Sequence, residues 1–170
     1  MTLSPLRLAL GAHLGQVLTP ELAAQLEAQA LAADTALVQR LEDHILQGPQ
    51  VDLRTTPRFL GGMYARTIAL DAGTTLTGAI HTTDHLNIVD GDISVTTDDG
   101  VVRLTGRHVL ATKAGMKRAG YAHGPTAWTT VCKTEHTDLA LAEQALVQDA
   151  ERLQTRTLQP DHYANLALEN

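Results

Sequence analysis

The residues best placed to do chemistry are two histidines, His81 and His85, in the run "GAIHTTDHLN". A neutral imidazole offers a lone pair to a divalent metal, and two of them together are the start of a zinc or iron site. Spacing sets a condition on that reading. Side chains four positions apart on a straight strand stand ~13 Å from each other, so the rings can share an ion only if the chain turns between them. Thr82–Asp84 could supply that turn, and Asp84, His123 or Cys132 could complete the three protein ligands such sites use. The competing reading is a hydrogen-bonded interior cluster without metal. Cys132 alternates with Trp128 and Thr130 on one strand face. It reads either as a nucleophile with His81 or His123 as base, or as an inert buried thiol, and the second is preferred.

These residues need a scaffold, and the texture of the chain predicts one. From Gly61 onward, short β-branched runs alternate with turn residues: "YARTIAL", "LTGAIH", "LNIV", "DISVTT", "VVRL", "HVLA", "KRAGYA" and "WTTVCKT". Turns are expected at "DAGT", Asp90-Gly91, "DDG" and "KAGM". About eight strands this short leave no room for helical crossovers, so an antiparallel sandwich or barrel is expected.

Helices flank the strands. Thr19 as N-cap, Pro20 and Glu21 open a helix predicted to run to Leu46, with an apolar stripe of Leu22, Leu26, Ala30, Ala33, Leu37, Leu41 and Ile45. A shorter helix over Pro5–Val17 precedes it. The stripe extends over about 40 Å, so it packs either on its own barrel or against a neighbouring subunit. Thr137 or Asp138 opens a further helix, "DLALAEQALVQDAERL", and Gln154–Asn170 reads as an extended arm or a short helix. The expected organisation is a helical segment over 1–50 that can serve oligomerisation, a β-barrel over 58–136, and a C-terminal helix and tail over 137–170.

Composition excludes several classes of function. The net charge is −6 and the basic residues are scattered, which gives no footprint for nucleic acid. Aromatic content of 3% leaves few platforms for stacking bases or sugars. The apolar runs fall short of the ~20 residues that a membrane span requires. A single cysteine cannot form an intramolecular disulfide, which fits a reducing cytoplasm.

The region Gly61–Glu135 resembles the cupin superfamily. Gly73 begins a spacing like that of the first cupin motif: Ala79 falls at the first histidine position, His81 at the second, His85 at the glutamate position, and Gly91 closes one residue early. "KAGMKR" resembles the second motif at Gly115, with Arg118 at its histidine position. The resemblance implies a jelly-roll barrel with Arg118 near its interior, where a guanidinium cannot ligate a cation. Arg118 must then be paired, with Asp84, Asp90 and Asp92 as candidates, or must meet an anion. "AGMKRAGYA" and "WTTVCKTEHTDLALAE" extend the likeness to cupin-like proteins of tailed bacteriophages and prophages.

The fold expected is therefore mainly β, a cupin-type jelly-roll barrel with a long N-terminal helical segment and a C-terminal helix. The preferred function is a non-catalytic structural or interaction module, phage-type and virion-associated, because half the ligand set is missing. The alternative is a metal-dependent enzyme or binding protein for a small anionic molecule. His81 and His85 are the metal candidates, and Arg118, His123, Trp128 and Cys132 the anion or pocket candidates. Lys113 and Lys117 are expected on a solvated strand edge. No cofactor or a divalent metal, a homo-oligomer, other virion proteins as partners, no membrane, and a cytoplasmic or virion location complete the expectation.

Overall fold

A computed structural model describes residues 34–97 and 100–153. Helix α1 occupies 34–45, followed by β1 (Thr56–Leu60), β2 (Met63–Leu70), β3 (Thr75–Thr77), β4 (His85–Thr97), β5 (Gly100–Thr112), β6 (Ala119–Ala122) and β7 (Thr126–Lys133). Helix α2 (Leu139–Leu146) and a short 3-10 turn (Ala150–Arg152) close the described chain. Every strand pairing is antiparallel, in the order β1-β2-β7-β4-β6-β3 with β5 on β4. The sheet curls into a half-barrel. None of the helices among the described residues is long and apolar enough to cross a membrane.

Period-2 alternation fixes which side chains face inward. On β4 the inward set is His85, Asn87, Val89, Ile93 and Val95. On β7 it is Thr126, Trp128, Thr130 and Cys132, which the β2 register sets opposite Leu70, Ile68, Arg66 and Tyr64. Two apolar clusters result. One joins Leu70, Val89, Ile93, Val95, Leu104 and Ala122, with Trp128 packed against it. The other joins Tyr64 and Cys132 to Ala142, Leu146, Val147 and Leu153, so α2 packs on its own barrel.

The structure departs from the sequence expectations in several places. Asp90-Gly91 is no turn: "LNIV" and "DISVTT" form one continuous strand, as do "VVRL" and "HVLA". Gly91 is instead where β4 changes partner, from β7 at Leu86–Asp90 to β6 at Ile93–Val95. Its φ is 152°, and a Cβ there would stand 2.6 Å from the Pro125 carbonyl oxygen and collide with Thr126. Among the described residues there are seven strands rather than eight, with β1 unanticipated and "LTGAIH" a strand only at its start. The C-terminal helix begins as expected, with Asp138 capping Leu141, but ends at Leu146. Val147 turns extended because the segment before β4 takes over the backbone: Thr82 N donates to Leu146 O and Gln148 N to Ile80 O, both at 2.9 Å.

Of the helix expected over Thr19–Leu46, residues 34–45 are described and helical; the rest, with Pro5–Val17 and the tail Gln154–Asn170, lies outside the described residues. The helix meets the barrel one step around from the anticipated stripe. Val38 is buried and Glu42 and Ile45 line the barrel cavity, whereas Leu37 and Leu41 are 55% and 36% exposed.

Candidate metal and ligand site

His81 lies on the bend between β3 and β4, and two backbone clamps hold it there. Val147 bridges it on one side, and on the other Gly115 N donates to His81 O at 2.9 Å. The bend itself is pinned at Asp84, whose carboxylate accepts from Lys113 Nζ at 2.6 Å and Ala114 N at 2.9 Å. Thr82–Asp84 therefore makes the turn that the spacing required. The rings of His81 and His85 come within 4.2 Å, centroid to centroid.

Cys132 arrives from β7. Its Sγ is 3.6 Å from His81 Nδ1, and one ligand atom from each of His81, His85 and Cys132 lies within 4.8 Å of the others. Metal–ligand bonds of ~2.3 Å to sulfur and ~2.05 Å to nitrogen at a tetrahedral angle place S and N about 3.6 Å apart, so this edge has the length that zinc requires. The same separation serves an S–H···N hydrogen bond in metal-free protein. His85 Nδ1 lies 3.1 Å from Thr83 O; a carbonyl can only accept, so Nδ1 carries the proton and Nε2 keeps its lone pair.

Electrostatics keep the trio neutral. Burial, then His85 and Arg66, push His81 down to about 3. Burial also lowers His85, with Arg118 adding to it against the opposing Thr83 carbonyl and Asp84. Burial raises the Cys132 thiol to about 11. So weak a base and so weak an acid disfavour a thiolate–imidazolium pair, which argues against the nucleophile reading of Cys132. Two neutral imidazoles that line the cavity and one buried thiol beside them, three protein ligands, do fit zinc or a similar borderline-soft divalent ion.

A cavity of about 580 Å³ opens beside the imidazoles, with Arg66, Asn87, Thr112, Arg118, Trp128 and Thr130 on its wall. Asn87 organises that wall. Its Oδ1 accepts from Trp128 Nε1 at 2.9 Å and Thr130 Oγ1 at 2.7 Å, and its Nδ2 donates to Thr112 Oγ1 at 2.9 Å. Arg118 Nη1 donates to Thr96 O at 2.7 Å and Nε to Thr112 Oγ1 at 3.4 Å.

The structure thus groups His81, His85 and Cys132, and places Arg118 and Trp128 on the adjoining wall. His123 is elsewhere: just past the end of β6, it is exposed, bonded to Ser94 Oγ at 2.8 Å and set edge-on to Tyr121. Asp84, Asp90 and Asp92 pair with Lys113, Arg107 and Arg103 on the surface rather than with Arg118. Lys113 is exposed as expected, but Lys117 is buried, 2.6 Å from Glu42 Oε2. Sequence reasoning missed Asn87, and it set Thr130 on the Cys132 face without counting it a site residue. Strand parity was the available signal, since Asn87 shares a face with His85 and Thr130 with Cys132.

No family model and no curated protein matches the chain. Among solved structures it is similar to a cupin superfamily protein from Desulfitobacterium hafniense, at 16% identity over 52% of this chain and 84% of that one, with a TM-score of 0.40. A cupin-2 domain of an XRE family transcriptional regulator from Enterobacter cloacae is 13% identical over 51% of this chain and 100% of that one, at a TM-score of 0.41. A cupin-2 domain containing protein from Shewanella frigidimarina is 13% identical over 55% and 91%, at 0.38. Likenesses at these scores carry nothing about chemistry, which is read from this chain's own residues.

Proposed function

We propose that this protein is a metal-dependent, cupin-like barrel that takes a small molecule in its cavity, with His81, His85 and Cys132 holding the metal. The observation that supports this over a non-catalytic module is the position of Cys132. The sequence favours a decayed site because two histidines are too few, and β7 brings a third donor to them. A divalent ion there supplies Lewis acidity at the cavity wall. The protein's own part is to hold two neutral imidazoles ready, to fix the His85 tautomer through Thr83, and to shelter the thiol. The test is metal uptake by the purified full chain, with cobalt(II) as spectroscopic probe. One ion per chain is expected, with a sulfur-to-cobalt charge-transfer band that Cys132→Ser abolishes and with uptake reduced by His81→Ala and His85→Ala. No uptake, or uptake indifferent to all three substitutions, sinks the proposal.

A second reading, an assembly module that a phage origin would place in a virion, is favoured by one observation: Leu37 and Leu41 of α1 are exposed. It predicts a homo-oligomer that Leu37→Glu with Leu41→Glu converts to monomer, read by sedimentation. A monomeric wild type overturns it.

A further inference from the structure

We propose that α1 is a lid on the cavity, latched closed through Glu42, and that a small molecule enters when the latch releases; this rests on the cavity being the ligand site named above. Cover comes first. Gln39, Glu42 and Ile45 of α1, with Leu46 just beyond it, line the same cavity as His81, His85 and Trp128.

The way α1 is held comes second. Helix α2 belongs to the core through Ala142 and Leu146, whereas among the described residues neither apolar cluster includes a residue of α1. Of its described side chains Val38 alone is buried. Polar contacts do the holding instead. Glu42 receives Lys117 at 2.6 Å, Thr77 at 2.8 Å and Arg152 at 3.1 Å, Asp43 receives Arg152 at 2.8 Å, and Thr35 Oγ1 donates to Gly115 O at 3.4 Å. Release of α1 returns the separated charges to water, which solvates them. An element with few buried apolar contacts opens locally before the rest of the fold does.

The hinge comes third. Gly48 N at 3.0 Å and Gln50 Nε2 at 2.8 Å bond back to Ile45 O, so the turn after α1 is tied to the helix. The barrel holds the chain at Leu53, whose carbonyl accepts from Ala69 N at 2.9 Å and whose side chain packs against the Leu70 cluster. The helix can therefore swing together with its turn about Val51–Leu53. Closure shields the cavity from water, and opening admits what binds there.

The experiment needs neither ligand nor metal. Trp128 is the single tryptophan and lines the cavity, so acrylamide quenching of its emission reports access, while hydrogen exchange followed by mass spectrometry reports opening of α1. In the wild type the amides of α1 are expected to exchange roughly a hundredfold faster than those of β4. Glu42→Gln is expected to raise the quenching constant about threefold, with exchange in α1 rising ahead of β4, and Arg152→Gln to raise both less. The wild-type arm and Arg152→Gln keep the answer in view if Glu42→Gln misfolds. Amides of α1 that exchange only as slowly as those of β4 make the helix part of the core and overturn the proposal. Faster exchange of α1 in a folded variant, with Trp128 no more accessible, shows that α1 covers no route to the cavity and overturns it too. Failure of cobalt uptake with both results standing defeats the metal reading alone; cobalt uptake beside a fully protected α1 defeats this one.

Discussion

At the α1 end of the cavity Glu42, Lys117 and Arg152 keep their charges and face one another, whereas at the β4 end His81, His85 and Cys132 are neutral. Glu42 Oε2 receives Lys117 Nζ at 2.6 Å and Thr77 Oγ1 at 2.8 Å, and Oε1 lies 3.1 Å from Arg152. Burial pushes the Glu42 carboxyl upward, but these partners outweigh it and hold it below its ordinary value. At the other end burial is the largest influence, with His85 and Arg66 adding to it at His81, so the imidazoles stay neutral and the thiol keeps its proton. A self-satisfied charged cluster is a latch for α1. A neutral cluster with lone pairs is a place where a cation lowers the free energy.

The largest test of this contrast is acid. In metal-free protein His81 titrates near 3, well below its unfolded value near 6.5. Between those limits the unfolded chain binds the extra proton, so stability is complete above pH 6.5 and falls as pH drops toward 3. The loss reaches about 2 kcal/mol by pH 5 and about 5 kcal/mol at the lower limit. Urea unfolding at several pH values measures it, and His81→Leu is expected to flatten this part of the curve. An unchanged slope in that variant ends the assignment.

Next comes the latch. Lys117 is 5% exposed and Glu42 15% by side chain, so Glu42→Gln strands a buried ammonium and is expected to cost about 3 kcal/mol. Hydrogen exchange is expected to rise in α1 first. The stability lost in this variant should not carry the pH dependence assigned to His81. A smaller effect, about 2 kcal/mol, is expected from Asn87→Ala, which leaves Trp128 Nε1 and Thr130 Oγ1 without their shared acceptor. A red shift of tryptophan emission accompanies it if water enters the wall.

Legibility in the sequence follows the same division. Strand parity and turn residues make the β-rich architecture readable, because side-chain alternation is a local property of the backbone. His81 and His85 are readable as a pair for the same reason: their bend is four residues of local chain. Cys132 is 47 positions beyond His85 and joins it only through the register of β4, β7 and β2, which no local pattern encodes. Asp90-Gly91 misleads because glycine serves close approach as well as turns, and here Thr126 is what approaches. Lys117 misleads because its burial depends on α1, which reaches it through Glu42, 75 positions earlier in the chain.

The smallest expected effect connects local helix chemistry to the site. Asp138 accepts from Leu141 N at 2.9 Å and caps α2, and the far end of that helix hands Leu146 O, Val147 and Gln148 N to the segment that carries His81. Asp138→Ala removes the cap at about 1 kcal/mol, which loosens α2 without touching any ligand atom. If α2 positions His81, cobalt affinity falls a few-fold while the charge-transfer band keeps its wavelength, since the donors are unchanged. The Glu42 latch is held by other elements, so exchange in α1 stays as in the wild type. A drop in stability with unaltered cobalt affinity would instead show that the Gly115 clamp on His81 suffices, and that α2 only covers the barrel.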